Sequence, residues 1–135
     1  MIVIDSSAAV AIILAEPEAD RLAKRIEKER VGQRVMSTAS YLEIGTVLAG
    51  RARASPLKEI NSLEGFLSAA DIDLVPVDAD QARIALQARI KYGRGFRSGA
   101  QLNFGDCCAY ALAKVRSAPL LYVGSDFDKT DIERA

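Results

Sequence analysis

Short apolar segments recur along the chain and predict four β-strands. Three of them, Met1–Asp5, Val35–Ser37 and Leu120–Val123, are almost wholly apolar, which is typical of strands buried on both faces of a parallel sheet. The fourth, Ile72–Val77, alternates apolar and polar residues, although Pro76 weakens its end.

Longer segments with apolar residues three and four positions apart separate these strands and predict helices. A glycine-rich loop precedes the last of them. The predicted helices are Ser6–Leu14, a helix opened by Pro17, about Ala39–Arg53, a helix opened by Pro56, a helix capped by Asp78 or Asp80 that ends near Tyr92, and Asp106–Arg116. The order β-α-α-β-α-α-β-α-α-β predicts an α/β fold with three layers, α/β/α, around a central parallel sheet of four to five strands.

Composition narrows the class of protein. The chain has 135 residues, half of them hydrophobic, and no repeat or linker interrupts it, so residues 1–135 are predicted to form a single domain. Its 18 basic and 18 acidic residues cancel, which argues against non-specific coating of nucleic acid. No apolar segment is long enough to span a bilayer and no basic, signal-like segment opens the chain, so we expect a cytoplasmic protein without a membrane partner.

Histidine is absent, and this excludes several kinds of chemistry. Histidine acid–base catalysis, Ser–His and Cys–His nucleophile pairs and histidine-ligated zinc all require it. The adjacent Cys107 and Cys108 are too few for a disulfide framework and are expected to be buried. Any catalytic site in this chain must therefore use other groups.

Acidic residues fall near the carboxyl edge of the predicted sheet, where ligands bind in folds of this kind. Asp5 ends the first strand, Glu43 lies early in the helix after the second, Asp106 begins the helix leading to the last strand, and Asp126 follows that strand. Mg²⁺ and Mn²⁺ prefer oxygen ligands, so such a cluster can hold one or two ions. A bound ion activates water and stabilises charge on an attacked phosphodiester.

Ordinary structural roles remain open to the same acids. Asp5 can cap the following helix, and Glu43 can close a capping box that begins at Ser40. Asp106 can lie in the first turn of a helix capped by Asn103, and Asp126 can be a turn residue. Spacing alone does not decide between these roles and a shared site.

Four motifs separate these acids from others on the same edge. They are MIVIDSSAAVAIILAEPEA, STASYLEIGTVLAGR, LNFGDCCAYALAK and PLLYVGSDFDKTDI, and they cover nearly the whole chain. In this order and spacing they resemble the motifs of VapC-type toxins of the PIN-domain family. Asp78 and Asp80 match no motif acid and are interpreted as caps. Ser6 stands where the family commonly has Thr, and Ser125 stands where it commonly has Asn or Asp.

The resemblance implies a metal-dependent endoribonuclease, the toxin of a type II toxin–antitoxin pair, which hydrolyses RNA with Mg²⁺ or, as a substitute, Mn²⁺. It implies that Asp5 and Asp106 are the principal metal ligands. Glu43 would act directly or through metal-bound water on the nucleophile, and Asp126 would complete the cluster. Two alternatives stay open: a PIN-like RNA-processing nuclease outside a toxin–antitoxin pair, and a non-catalytic module that binds RNA or protein.

The resemblance also implies protein partners. A small antitoxin is expected to lay a segment into a groove near the acids, often with a basic side chain towards them, and a homodimer is usual. The first helix and the helix over Leu57–Ala70 offer apolar faces for such contacts, although the core is their ordinary destination.

A basic, acid-free segment precedes Asp106. Between Gln81 and Gly105 there is no acidic residue, whereas the segment contains Arg83, Arg89, Lys91, Arg94 and Arg97. The glycine-rich part of this segment can hold RNA phosphates through Arg94 and Arg97, with Phe96 stacking on an unpaired base. A solvated helix face followed by a loop explains the same residues equally well.

Overall fold

A parallel sheet forms the centre of the molecule. The computed structural model describes residues 1–51, 55–96 and 99–135. Within them the strands are β1 (Ile2–Ile4), β2 (Arg34–Ser37), β3 (Asp73–Val75) and β4 (Leu120–Leu121). All neighbours are parallel, in the order β3-β2-β1-β4.

Helices cover both faces of this sheet. They are α1 (Ser6–Ile13), α2 (Ala19–Glu27), α3 (Thr38–Arg51), α4 (Pro56–Ala70), α5 (Ala79–Tyr92) and α6 (Phe104–Arg116). The element order is the predicted one, and the three-layer α/β/α class with a parallel sheet is confirmed.

Alternation along β1 divides the core into two clusters. Val3 packs with residues of α5 and α6 on one face of the sheet. Ile2 and Ile4 pack with residues of α1, α2, α3 and α4 on the other. Successive side chains of a strand point to opposite faces, so one short apolar strand contributes to both clusters. Both faces of β1 are therefore buried, and its carboxyl end is left to support a site.

The C-terminal segment runs beside β4. The N–H of Leu120 donates to the carbonyl of Glu133 at 2.9 Å, and the N–H of Ala135 donates to the carbonyl of Leu120 at 3.0 Å. This makes a single parallel bridge between Leu120 and Arg134. The described residues thus form four strands with one bridge added at the edge.

Some predicted boundaries were wrong. Pro17 lies in a turn, and α2 begins at Ala19, because the chain first reverses direction through Ala15 at φ 52°. The last helix begins at Phe104 rather than Asp106, because Asn103 caps it. The predicted end of the third helix, Arg53, lies outside the described residues.

Within the described part of the chain, no helix is both long enough and apolar enough to cross a membrane.

Candidate active site

Asp5 lies at the carboxyl end of β1 and caps α1. Its Oδ2 accepts hydrogen bonds from the backbone N–H of Ser7 at 3.0 Å and from the Ser7 hydroxyl at 2.5 Å. The Ser7 hydroxyl in turn accepts from the N–H of Val123 at 3.0 Å, which joins β1 to the segment after β4. The cap uses only one carboxylate oxygen, so it leaves the other available for a site role.

The second carboxylate oxygen of Asp5 is buried and lacks a hydrogen-bond partner among the described residues. The residue as a whole is 1% exposed. Burial raises the pKa of Asp5 above its ordinary value, and the charge of Glu43 raises it further, although the Ser7 hydrogen bonds oppose both. A buried, unsatisfied anionic oxygen is costly unless a proton or a cation occupies it.

Glu43 approaches Asp5 from α3. Its Oε2 accepts a hydrogen bond from the Ser6 hydroxyl at 2.8 Å, so the residue next to Asp5 orients this carboxylate. The capping box proposed for Ser40 is wrong: α3 begins at Thr38, and Ser40 is buried inside it. Glu43 is therefore free of that structural task.

Asp106 lies in the first turn of α6 and forms a capping box with Asn103. Its Oδ2 accepts from the N–H of Asn103 at 2.7 Å, and its own N–H donates to Oδ1 of Asn103 at 2.8 Å. The pKa of Asp106 is raised to about 7. Burial is the largest cause of this rise, and the charges of Asp5, Glu43 and Asp126 contribute to it. The predicted cap by Asn103 is confirmed, and it fixes the backbone from which this carboxylate faces the other acids.

Asp126 lies in the turn after β4. Gly124 precedes it with φ 91°, a conformation that glycine adopts without strain. The negative charge of Asp126 acts on Asp106, so it lies within electrostatic range of that carboxylate. Asp126 is thus the acid that the segment after β4 contributes to this edge of the sheet.

The C-terminal segment holds this turn in place. Arg134 Nη2 donates to the Gly124 carbonyl at 2.7 Å, and the guanidinium carbon lies 4.1 Å from the centre of the Tyr122 ring. Arg134 Nη1 is also 3.5 Å from Asp128 Oδ1, which accepts from the Tyr122 hydroxyl at 2.8 Å. Burial and this hydrogen bond raise the pKa of Tyr122 to about 12. These contacts position the backbone that carries Asp126.

The structure therefore brings the four predicted acids to one edge, where the charges of Asp5, Glu43 and Asp126 act on Asp106. The other two acids of this edge have separate tasks. Asp78 caps α5, where its Oδ1 accepts from the N–H of Gln81 at 2.8 Å. Asp80 pairs with Arg83 at 2.7 Å on the exposed face of the same helix.

The donor set fits a hard cation. It consists of carboxylate oxygens, which Mg²⁺ and Mn²⁺ prefer, and the unpartnered oxygen of Asp5 is an acceptor that such an ion would satisfy. Within residues 1–51, 55–96 and 99–135, no three acidic or cysteine side chains lie close enough to enclose an ion by themselves. Carboxylates that repel one another are expected to stay apart, and water and substrate oxygens complete the ligands of Mg²⁺ in open sites.

Gly105 is a site residue that the sequence reasoning missed. A Cβ atom added there would collide with the Glu43 carboxylate, whose carbon would be 2.8 Å away. The contact joins positions far apart in the chain, so the only available signal was a glycine in a first helical turn, just before a motif acid. Ser7 was missed in the same way, since its bond to Val123 also links distant segments.

We expect Gly105→Ala to reduce RNA cleavage about ten- to a hundredfold, because the new methyl group displaces the Glu43 carboxylate. The protein should remain at least as stable, since Ala is favoured over Gly inside a helix by about 0.5–1 kcal/mol. Single-turnover cleavage rates and thermal melts measure both effects. Gly65→Ala is the matched control, because its Cβ would meet open space in α4. Unchanged cleavage by Gly105→Ala would contradict the role of this contact.

The basic loop before Asp106 is closed at its base. The N–H of Arg94 donates to the carbonyl of Leu102 at 3.0 Å, and the same carbonyl accepts from the Arg89 guanidinium. Arg89 also lies 5.8 Å from the centre of the Phe96 ring. Arg97 lies outside the described residues, so its predicted contact with RNA stays a prediction.

Cys107 and Cys108 are free and buried, as expected from the sequence. Burial raises the pKa of the Cys107 thiol to about 11, so it is not a reactive thiolate at neutral pH.

Fold and site together define a three-layer α/β protein whose acidic side chains gather at the carboxyl edge of a parallel sheet. The PIN domain family model matches residues 2–133. Ribonuclease VapC30 of Mycobacterium tuberculosis is 46% identical over 130 residues, which cover 96% of this chain and 95% of the relative. Ribonuclease VapC of Mycolicibacterium smegmatis is 47% identical over 130 residues, covering 96% of both chains. The chain belongs to the PIN-domain family, which confirms the resemblance.

Solved structures agree on the fold. The chain matches Mycobacterium tuberculosis VapC20, a sarcin-ricin-loop-cleaving toxin, with a TM-score of 0.77, 13% identity and coverage of 100% of this chain and 98% of that one. It matches a chain of VapBC2 from Rickettsia felis, bound to a promoter DNA fragment, with a TM-score of 0.74, 14% identity and coverage of 100% and 98%. At these identities the likeness extends to the fold alone.

Proposed function

We propose that this protein is a ribonuclease and the toxin of a toxin–antitoxin pair. The observation that carries the proposal is the buried, unpartnered carboxylate oxygen of Asp5, with Glu43 held next to it by Ser6 and the buried Asp106 on the same edge of the sheet. Relatives at 46–47% identity, over nearly the full length of both chains, bear the name ribonuclease VapC. Residues 1–135 act as one domain in this proposal, and RNA and antitoxin meet it in the cytoplasm.

Asp5 and Asp106 are the proposed ligands of Mg²⁺, for which Mn²⁺ can substitute. When bound, such an ion lowers the pKa of water and stabilises negative charge on the attacked phosphate. Asp5 offers its unpartnered oxygen, and Asp106 offers the oxygen that its capping bond leaves free. Both carboxyl groups have raised pKa values and must lose a proton before they bind a cation.

Glu43 and Asp126 complete the proposed site. Glu43 is held by the Ser6 hydroxyl and can orient a water molecule or accept its proton. Asp126 adds negative charge from the turn after β4 and would support the binding of a second ion. RNA is the proposed substrate, and its phosphodiester bond is cleaved by water.

A groove between α1, α2 and α4 is the proposed place for the antitoxin. It has a volume of about 200 Å³ and is lined mainly by apolar side chains, with two charged residues, Glu27 and Arg34, among them. Ile12 reaches it near the end of α1, and Arg34 begins β2, so the groove lies towards the amino edge of the sheet and not beside the acids, where the resemblance placed it. An amphipathic antitoxin segment fits these features, because its apolar face would fill the groove and its polar face would remain in water.

Ala69→Arg is expected to weaken antitoxin binding at least about tenfold, because the long side chain occupies the groove. Ala69 is exposed, so RNA cleavage by the free protein should be unchanged. Calorimetric titration with the antitoxin measures the first effect. Ser68→Arg adds the same charge at the neighbouring exposed position, outside the groove residues, and should bind normally. Equal affinity of both variants would argue against this groove.

An exposed apolar surface supports a homodimer. We call it the Phe104 surface; it consists of Leu42, Leu86, Ile90 and Phe104, with exposed fractions of 58–82%. Phe104 lines one cavity with Leu42 and another with Leu86, and Ile90 lies one helical turn after Leu86 on α5. Contiguous apolar patches of this kind are commonly interaction sites.

We expect Leu86→Lys to convert a dimer into a monomer, because it places a charge in the Phe104 surface. Light scattering coupled to size exclusion reports the mass directly. Leu57→Lys changes a leucine that is 75% exposed on α4, outside this surface, and should leave the dimer intact. A parent protein that is already monomeric at high concentration would contradict the homodimer.

Induced expression in a bacterial host tests the toxin role. Growth should stop with the parent protein, continue with Asp106→Asn, and recover when the small protein encoded beside it is co-expressed. Growth arrest by Asp106→Asn equal to that of the parent would favour the alternative of a non-catalytic binding module. Continued growth with the parent, and no neighbouring antitoxin gene, would favour an RNA-processing nuclease.

A further inference from the structure

Lys129 shares a turn with Asp126, one of the acids of the proposed site. It lies in the turn after β4, where the N–H groups of Asp128 and Thr130 donate to carbonyls three residues earlier, at 3.1 and 3.0 Å. Side chains three residues apart in such a turn lie on the same side. Lys129 is three residues after Asp126, and this spacing favours an ammonium group and a site carboxylate on the same side of the turn.

A glycine makes room for this lysine. A Cβ atom added at Gly99 would lie 2.8 Å from Cδ and 3.0 Å from Nζ of Lys129. Gly99 does not have a positive φ, so its backbone conformation does not by itself require glycine. The absence of a side chain at Gly99 therefore serves the close approach of Lys129, which joins the basic loop to the turn that carries Asp126.

The charge of Lys129 is available to a ligand. Among the described residues, no carboxylate lies within ion-pair distance of its ammonium group. The adjacent acid, Asp128, is already bound by Tyr122 and Arg134. An exposed lysine ammonium group that lacks an ion-pair partner is well suited to bind a phosphate, as a point charge.

We propose that Lys129 binds a phosphate of the RNA substrate next to the bond that the acidic site cleaves, and that Gly99 keeps its side chain in that position. The inference rests on the proposed ribonuclease function and adds a substrate-binding residue to it. Lys129 neutralises a phosphate that would otherwise be repelled by four carboxylates. It acts on binding, whereas the acids act on the reaction.

Binding of a fluorescent single-stranded RNA of mixed sequence tests this proposal. The measurement uses Asp106→Asn as the parent, so that the probe is not cut, and follows anisotropy at several salt concentrations. Lys129→Gln should weaken binding about three- to tenfold and reduce the slope of log K against log salt by about 0.7, the value for one phosphate contact on a single strand. Lys129→Arg should keep the slope.

Gly99→Ala should weaken binding in the same way, because it displaces the lysine side chain. Combined with Lys129→Gln it should add no further loss, since both changes remove one contact. Lys28→Gln removes an exposed lysine at the end of α2, before β2 and thus towards the opposite edge of the sheet, and should change neither affinity nor slope.

Equal affinity and slope for Lys129→Gln and its parent would overturn the inference. If the unmodified chain still cleaves RNA with metal in that case, the result contradicts the role of Lys129 and leaves the proposed function supported. A parent that binds no RNA at all would overturn the role of Lys129, and cleavage by the unmodified chain then decides the proposed function separately.

Discussion

Replacement of Asp106 by asparagine is expected to abolish RNA cleavage and to leave the protein folded. The carboxylate lies within range of the other three acids, whereas the amide carries no charge and binds Mg²⁺ weakly. The asparagine oxygen can still accept the bond from the Asn103 N–H, so the cap of α6 is preserved. The cleavage rate should fall at least about a hundredfold, as for the loss of one catalytic group.

A matched control separates the site from the general acidity of this edge. Asp80→Asn removes an exposed carboxylate at the start of α5 whose only ion-pair partner within the described part of the chain is Arg83. Its cleavage rate should equal that of the unmodified protein under the same metal concentration. A comparable loss of rate in both variants would mean that overall charge, rather than the position of Asp106, controls cleavage.

The metal-free protein is expected to lose stability as pH rises from about 4 to about 7. The pKa of Asp106 is about 7 in the folded state and 3.8 for an ordinary Asp, so the folded protein holds this proton more tightly. The stabilising effect is complete below pH 3.8 and is lost as pH passes through 7. Its limit is about 4 kcal/mol for a shift of this size.

Thermal melts of the unmodified protein and of Asp106→Asn, in EDTA across this pH range, isolate the effect. Groups distant from the site titrate equally in both proteins, so their difference in melting temperature reports Asp106 together with the acids that interact with it. The asparagine variant should become the more stable of the two as pH rises. A constant difference across the range would contradict the raised pKa.

Adding Mg²⁺ or Mn²⁺ above pH 7 should restore much of the folding stability that the metal-free protein loses as pH rises. An ion at a hundred times its Kd stabilises the folded state by about 2.7 kcal/mol, provided that it binds only that state. The unmodified protein should gain this stability, and Asp106→Asn should gain much less. Equal gains in both proteins would place the cation elsewhere.

The sequence predicted the order of elements correctly because burial on both faces leaves strands almost wholly apolar. Met1–Asp5 shows this most clearly, since Ile2 and Val3 enter opposite core clusters. The ends of helices were less predictable where one residue is compatible with two local structures. Pro17 suits a first helical turn and an ordinary turn equally, and the structure uses the second.

The sequence indicated the positions of the four acids better than it indicated the contacts that hold them there. Asp5 and Asp106 stand at the ends of predicted elements, where parallel topology brings them to one edge. Gly105 and Gly99 were not singled out for these contacts, because each makes room for a side chain from a distant segment. The spacing of residues in a sequence does not indicate which distant side chains will contact a given glycine. These contacts become visible only in the folded structure.

Metal-dependent cleavage by the purified, antitoxin-free protein is the most direct test of the proposed function. The substrates are a panel of fluorescent single-stranded RNA oligonucleotides and total RNA, with Mg²⁺, with Mn²⁺ and with EDTA. We predict cutting at defined positions with either metal, none in EDTA, and none by Asp106→Asn. Cutting that persists both in EDTA and in Asp106→Asn would contradict a mechanism based on these carboxylates.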